Sequence, residues 1–463
     1  MIKNKILLFF LFFGTMCQAQ TSHFLYYKLN GCASKKAILY NVRGESSVGI
    51  DTAYLQQSGG FAFSNIEKYP AGMYVVSFND SVYTEVILND EDIVLEANIE
   101  NILMTMEVRK SVENQILFGY WQYAIMIKDS VNKYNLTRQK ILQATYGNEN
   151  KQSLKLYEDI NRLNDKLYDF IDEEKKLHPE SFAPKLLLSY QIPSYRRYLA
   201  GNGNLPYDSE KEYYWNHFLD NVDFSDPRLL NSKVVYVTIS DFITNFGGPA
   251  TTKNYNNIIS KVMALANSNE EVYQYCLNLF IKNFDNTIWE DVFVYLIDNY
   301  YTNSFNLNES IRKYYVNKST IIKNLKPGKK APSIILPDSA GNLVDLYNIK
   351  AKAKMIIFYS SDCPHCEEAM PDLKKIYNDY KNSGLEVIGV AIDDEASMWK
   401  NNIIKDSLTW ISVSDLKGMS SPIVNAYNIW MTPTIYILDK KDIIMSKPKG
   451  PAEIQAALLQ VLY

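Results

Sequence analysis

One nine-residue stretch constrains this chain more than any other. Phe358-Tyr359-Ser360-Ser361-Asp362-Cys363-Pro364-His365-Cys366 joins an apolar, strand-like run, Met355 to Tyr359, to a Cys-Pro-His-Cys quartet. A helix-compatible stretch, Glu367 to Tyr380, follows at once. A helix N-terminus offers unpaired N–H groups and partial positive charge, and both favour a thiolate over a thiol. The first cysteine sits at the helix mouth and gains most, while the second lies one turn inside. The pattern points to a redox dithiol, with Cys363 as attacking nucleophile and Cys366 as resolving thiol.

Other uses of the two cysteines fit less well. A zinc site needs two more ligands at similar spacing. Cys17, Cys32 and Cys276 are isolated, and His23, His178 and His217 form no local pair, so no metal ligand set is expected. Covalent haem attachment needs His directly after the second cysteine, and that position is Glu367. A structural disulfide stays open as an alternative, although so short a loop gains little from cross-linking.

The flanks extend the pattern. Ala331-Pro332-Ser333 and Asp338-Ser339-Ala340-Gly341-Asn342 place a turn between two short apolar runs. Leu385 to Asp393 and Thr434 to Asp439 read as further strands; Ser397 to Lys405, Ser421 to Asn428 and Ala452 to Leu462 read as helices. Alternating strands and helices imply an α/β layer around a largely parallel sheet.

With these elements in place, residues from about Gly328 to Tyr463 resemble a TlpA-like thioredoxin-fold domain, the envelope branch of the thioredoxin and redoxin superfamily. The resemblance rests on four features: Gly-x-x-Ala-Pro at Gly328 to Pro332, the Cys-x-x-Cys after a strand, Pro371 inside the first helix, and Met431-Thr432-Pro433-Thr434 before a strand ending in Asp439. It implies that Pro433 is a cis proline facing the dithiol, and that Thr432 and Pro433 contact the substrate backbone. A trans proline opening an edge strand is the alternative. The resemblance implies a thiol–disulfide oxidoreductase that needs no cofactor. Its partners are protein thiols or disulfides and a membrane-linked or soluble electron donor.

Two positions depart from the family pattern. Many TlpA-like reductases carry Glu three residues after the second cysteine; here that residue is Ala369, with Glu367 and Glu368 nearer the cysteines, so the general base is unassigned. The residue before the first cysteine is Asp362, whose charge opposes a thiolate that His365 and the helix end favour. Pro364 and His365 are the candidate redox-tuning residues. The Cys-Pro-His-Cys quartet of DsbA accompanies a stabilised reduced form and strong oxidising power. TlpA-like relatives mostly act as reductases, so dipeptide and family pull in opposite directions.

The amino end bears on compartment. Lys3 and Lys5 precede the apolar run Ile6 to Phe13, and Gly14-Thr15-Met16-Cys17-Gln18-Ala19 follows. This fits a signal peptide over residues 1–19 and a periplasmic or envelope location. Lipidation at Cys17 is an alternative that Gly14 and Met16 fit poorly. The apolar run is shorter than the ~20 residues a membrane span needs.

A chain of 463 residues suggests about three domains, and a net charge of −4 gives no nucleic-acid footprint. Residues 20–110 show short apolar runs punctuated by Gly, Asn and Asp, as expected of an antiparallel β sandwich. Residues 111–318 read as all-helical. Leu156, Ile160, Leu163, Leu167 and Phe170 mark one amphipathic helix ending near His178-Pro179. The β part, ending in Ser111-Val112-Glu113-Asn114, and the helical part, with His178-Pro179-Glu180-Ser181 and the run Phe218 to Phe224, resemble domains of unknown function found with envelope thioredoxin-like proteins, and neither resemblance supplies catalytic residues. A lysine-rich stretch, Asn317 to Lys330, reads as the connector to a thioredoxin-like domain over 319–463. The alternative to an enzyme is an envelope binding or scaffold protein whose upstream modules carry the role.

Overall fold

The structure is a computed structural model describing residues 22–202, 207, 209–302 and 308–463. The expected signal peptide, including Cys17, lies outside the described residues. Packing divides the chain into two compact units, one of Met1–Ala250 with Lys261–Cys276 and one of Thr251–Ser260 with Leu277–Tyr463. Among the described residues, no helix is long and apolar enough to cross a membrane.

In the first unit, alternating apolar residues build eight strands among the described residues: β1 (Phe24–Asn30), β2 (Lys36–Arg43), β3 (Ser46–Tyr54), β4 (Phe61–Ser64), β5 (Gly72–Ser77), β6 (Tyr83–Leu88), β7 (Ile93–Asn98) and β8 (Glu107–Lys110). They form two four-stranded sheets, ordered β4-β1-β7-β8 and β3-β2-β5-β6. Leu25 and Tyr27 of the first sheet and Leu39, Tyr74 and Val76 of the second enter one core. The expectation of a wholly antiparallel arrangement needs one correction, because β1 and β7 pair in parallel. Parallel neighbours need a long crossover, and the whole second sheet lies between these two strands in the chain.

Ten helices follow among the described residues: α1 (Val112–Ala144), α2 (Lys151–Leu177), α3 (Ala183–Ser189), α4 (Tyr195–Asn202), α5 (Glu210–His217), α6 (Val234–Phe246), α7 (Thr252–Ala266), α8 (Glu270–Phe284), α9 (Glu290–Leu296) and α10 (Glu309–Asn324). Ser111 caps α1 by accepting from the Asn114 N–H, and a capping box between Asn150 and Ser153 opens α2. Buried Glu113 accepts from the N–H groups of Phe182 and Ala183 at the start of α3 and from Asn89 beside β6, so one carboxylate ties sheet to helices. The aromatic run near His217 packs on itself, with Tyr213 stacked on His217 and Trp215 on Phe242. His217 also bonds Asp220 at 2.6 Å. Cys276 is fully buried and Cys32 partly so.

The second unit holds the remaining strands: β9 (Ile335–Pro337), β10 (Leu343–Asp345), β11 (Ala353–Tyr359), β12 (Leu385–Ala391), β13 (Ile411–Val413), β14 (Thr434–Asp439) and β15 (Ile444–Ser446). Besides α9, α10 and parts of α7 and α8, it holds the helices α11 (Pro364–Tyr380), α12 (Ala396–Lys405), α13 (Pro422–Ala426) and α14 (Pro451–Leu462). The central sheet runs β13-β12-β11-β14-β15. β13, β12 and β11 are parallel, whereas β14 and β15 join antiparallel, so the sheet is more mixed than expected.

β11 is buried throughout, and its pleat divides the core. Met355, Ile357 and Tyr359 pack with Cys366, Met370 and Leu373 of α11; Ile356 and Phe358 pack on the other face with Val424, Tyr427 and Tyr436. Ile321 and Leu325, from α10 and its end, also join that second face. The boundary expected between residues 318 and 319 therefore falls inside α10. The lysine-rich surface concealed an amphipathic helix: Ile322 is buried, and Lys318 is buried against Asp285 and Asn286.

Candidate active site

Strand β11 ends at Tyr359, and a three-residue turn delivers Cys363 to the N-cap of α11. Pro364 takes the first helical position, where its fixed φ suits the helix and its missing N–H costs nothing. The Cys366 N–H bonds back to the Cys363 carbonyl at 3.0 Å, placing Cys366 within the first turn and leaving it 3 % exposed. Cys363 is only partly buried. Proline at 433 follows a cis peptide bond from Thr432, and the Cys363 Sγ lies 3.4 Å from the Thr432 carbonyl oxygen.

The two thiols differ electrostatically. Partial burial pushes the Cys363 thiol up, but hydrogen bonds from the Thr432 side chain and from the backbone N–H groups of Cys366 and His365 outweigh it. The net shift is downward. Deeper burial pushes the Cys366 thiol up to about 12. A helix mouth that stabilises one sulfur while its partner is desolvated favours a thiolate at Cys363 and a protonated thiol at Cys366.

Four of the residues singled out from sequence, Cys363, Cys366, Thr432 and Pro433, come together here. Pro364 joins them through the backbone. The His365 ring does not: its side chain is 81 % exposed, with Nδ1 3.8 Å from a carboxylate oxygen of Glu368. Glu367 also faces solvent and pairs with Lys405 at 2.8 Å. Ala369 packs against the core. Among the described residues, no group of three or more His, Cys, Asp or Glu side chains is placed to hold a metal ion.

Sequence reasoning passed over Asp393, two residues beyond β12. Its carboxylate is buried and accepts from the Ser361 N–H at 3.0 Å and the Ser361 hydroxyl at 3.1 Å. Burial, with the charges of Asp362 and Asp394 nearby, holds its carboxyl above the usual range. The only signal was an acid directly after the largely apolar run Leu385 to Ile392, where the chain leaves the carboxyl end of β12 beside the end of β11 that carries the dithiol.

A model of the AhpC/TSA family matches residues 327–447. The carboxyl-terminal part of the chain carries a redoxin-family domain. A thiol-disulfide oxidoreductase ResA of Bacillus cereus is 28 % identical over 128 residues, which span 28 % of this chain and 72 % of that protein. Among solved structures, the thioredoxin domain of a thiol-disulfide oxidoreductase from Bacteroides vulgatus is 28 % identical. The match covers 30 % of this chain and 99 % of that one, with a TM-score of 0.29. A thiol-disulfide oxidoreductase from Bacteroides fragilis NCTC 9343 is 26 % identical over 28 % of this chain and 98 % of that one, with a TM-score of 0.27. These three relationships concern the redoxin domain and say nothing of the upstream β and helical modules.

Proposed function

We propose that this chain is an exported thiol–disulfide oxidoreductase that reduces disulfides in envelope proteins. The observation that carries the proposal is the asymmetric dithiol: an accessible, acid-shifted Cys363 beside a buried Cys366 whose thiol is pushed up to about 12. The Cys363 thiolate attacks one sulfur of the substrate disulfide, that S–S bond breaks, and the leaving thiolate takes a proton from solvent. Cys366, losing its proton, attacks the Cys363 sulfur of the mixed disulfide and releases the second substrate thiol. Two electrons have passed to the substrate, and the Cys363–Cys366 disulfide awaits a membrane-linked or soluble donor.

Thr432 and Pro433 hold the substrate backbone beside the reacting sulfur. Pro364 fixes the helix start, and His365 lends its backbone N–H to the Cys363 sulfur while its solvent-exposed ring acts only through screened charge; both tune the potential. Export draws its support from the basic and apolar amino end, Lys3 to Ala19. The test is insulin reduction with dithiothreitol as donor, comparing the full chain with Cys363→Ser. Turbidity that rises faster with the unsubstituted chain only is the expected result; equal rates for both would refute the proposal.

A further inference from the structure

We propose that a cleft between α10 and the segment leading to the cis proline binds the polypeptide flank of the disulfide substrate. This rests on the thiol–disulfide reading above and extends it, by giving residues outside the redoxin fold a part in choosing the substrate. The cleft has a volume of about 380 Å³, within the range of ordinary ligand pockets, roughly 300–1,000 Å³. Tyr314, Asn317 and Lys318 of α10 line one wall; Asn425, Asn428 and Ile429 line the other.

The chemistry of the walls selects a peptide over an ion. Lys318 is the one charged side chain in the lining, and it is already committed to Asp285 and Asn286. Asn317 and Asn425 are exposed, stand on opposite walls and make no side-chain hydrogen bond among the described residues. Asn428 donates to Glu290 at 3.2 Å, which leaves its amide oxygen open. Each carboxamide can both donate and accept, as a peptide group does. Tyr314, 58 % exposed, adds a flat apolar surface with a polar tip.

Position supplies the second argument. Ile429 is three residues before Thr432, and an extended chain spans at most about 3.6 Å per residue, so the two Cα atoms lie within about 11 Å. A substrate strand held beside Thr432 and running toward Ile429 would reach the cleft within roughly three or four of its own residues. The cleft thus lies within a few residues of the loop that carries Thr432 and Pro433.

The test uses the full chain and unstructured peptides, each with one cysteine in a mixed disulfide with glutathione. The flanks carry either one residue or about six on one side, a length chosen to pass the cleft. Lengthening one particular flank should raise the second-order rate constant for disulfide exchange about tenfold, equivalent to about 1.4 kcal/mol. The double variant Asn317→Ala/Asn425→Ala should lose that rise while its rate with the shortest peptide, and its Cys363 alkylation rate, stay unchanged. A length effect that survives in the double variant, or that never appears in the unsubstituted chain, overturns the cleft. Failure of the unsubstituted chain to act on even the shortest peptide or on insulin sinks the enzymatic reading, and the cleft with it.

Discussion

The Cys363 sulfur stands 3.4 Å from the carbonyl oxygen of Thr432, a residue 69 positions later in the chain. The carbonyl accepts from the protonated thiol, whereas the Thr432 side chain is among the groups that favour the thiolate. Thr432→Val removes the hydroxyl and keeps the branched shape. Its Cys363 should titrate at higher pH, followed by thiolate absorbance, and react more slowly near neutrality. An unmoved titration would leave the helix N–H groups and the Cys366 thiol as the stabilisers.

Reactivity should separate the two thiols. Iodoacetamide applied to the reduced chain near neutral pH should label Cys363 first, because Cys366 is both buried and pushed up to about 12. Peptide mapping at partial labelling reads the order directly, and Cys366 labelled first would reverse the assigned roles.

His365→Ala should make the disulfide less oxidising, since a protonated imidazole favours the reduced, thiolate-containing form. With the ring 81 % exposed, solvent and salt screen its charge. The shift should stay below about 30 mV, the equivalent of 1.4 kcal/mol for a two-electron couple. It should shrink further at high ionic strength. Glutathione equilibration at two salt concentrations measures both the sign and the salt response.

Asp393 should reveal itself through pH. Burial raises its folded pKa above the unfolded value, so the native state holds a proton that the unfolded chain gives up. Stability contributed by this group is therefore complete at low pH and falls as pH climbs from about 4 through the raised value. Asp393→Asn keeps an acceptor for Ser361 and removes the titration, so its stability relative to the unsubstituted chain should improve between acid and neutral pH. Asp393→Ala removes the same titration but also leaves the half-buried Ser361 N–H without its partner, so it should lie about 1 kcal/mol below Asp393→Asn across the pH range. Urea melts across the range distinguish the two variants.

Truncation should expose the role of α10. A chain starting at Asn317 splits this helix, removes Asp285 and Asn286 from Lys318, and removes Glu290 from Lys447, to which it is bonded at 2.7 Å. A chain starting at Thr251 keeps all of these. Both should reduce insulin, because the sulfurs and their neighbours lie beyond residue 359. The shorter chain should melt several degrees lower, as expected for a loss on the order of 1 kcal/mol or more. Equal melting temperatures in scanning calorimetry would show that the redoxin fold draws no stability from the helices before it.

The sequence alone determined the local chemistry. A buried strand, two cysteines and a helix start are contiguous from Met355 to Tyr380, so their geometry follows from short-range rules: Pro364 pre-sets the first turn and the pleat of β11 fixes which residues face α11. The strand and helix segments flanking them were legible for the same reason, since hydrophobic period and turn residues act over a few positions. Tertiary structure decided whatever depends on burial or on partners distant in the chain. It brought Thr432 to Cys363, put Asp393 under Ser361 and turned the His365 ring away into solvent. It paired β1 with β7 in parallel and converted a lysine-rich stretch into a half-buried helix by giving Lys318 acidic and amide partners more than thirty residues upstream. Desolvation is a property of the assembled fold, and two cysteines of the same intrinsic acidity are driven apart only when packing buries one and leaves the other at the helix mouth.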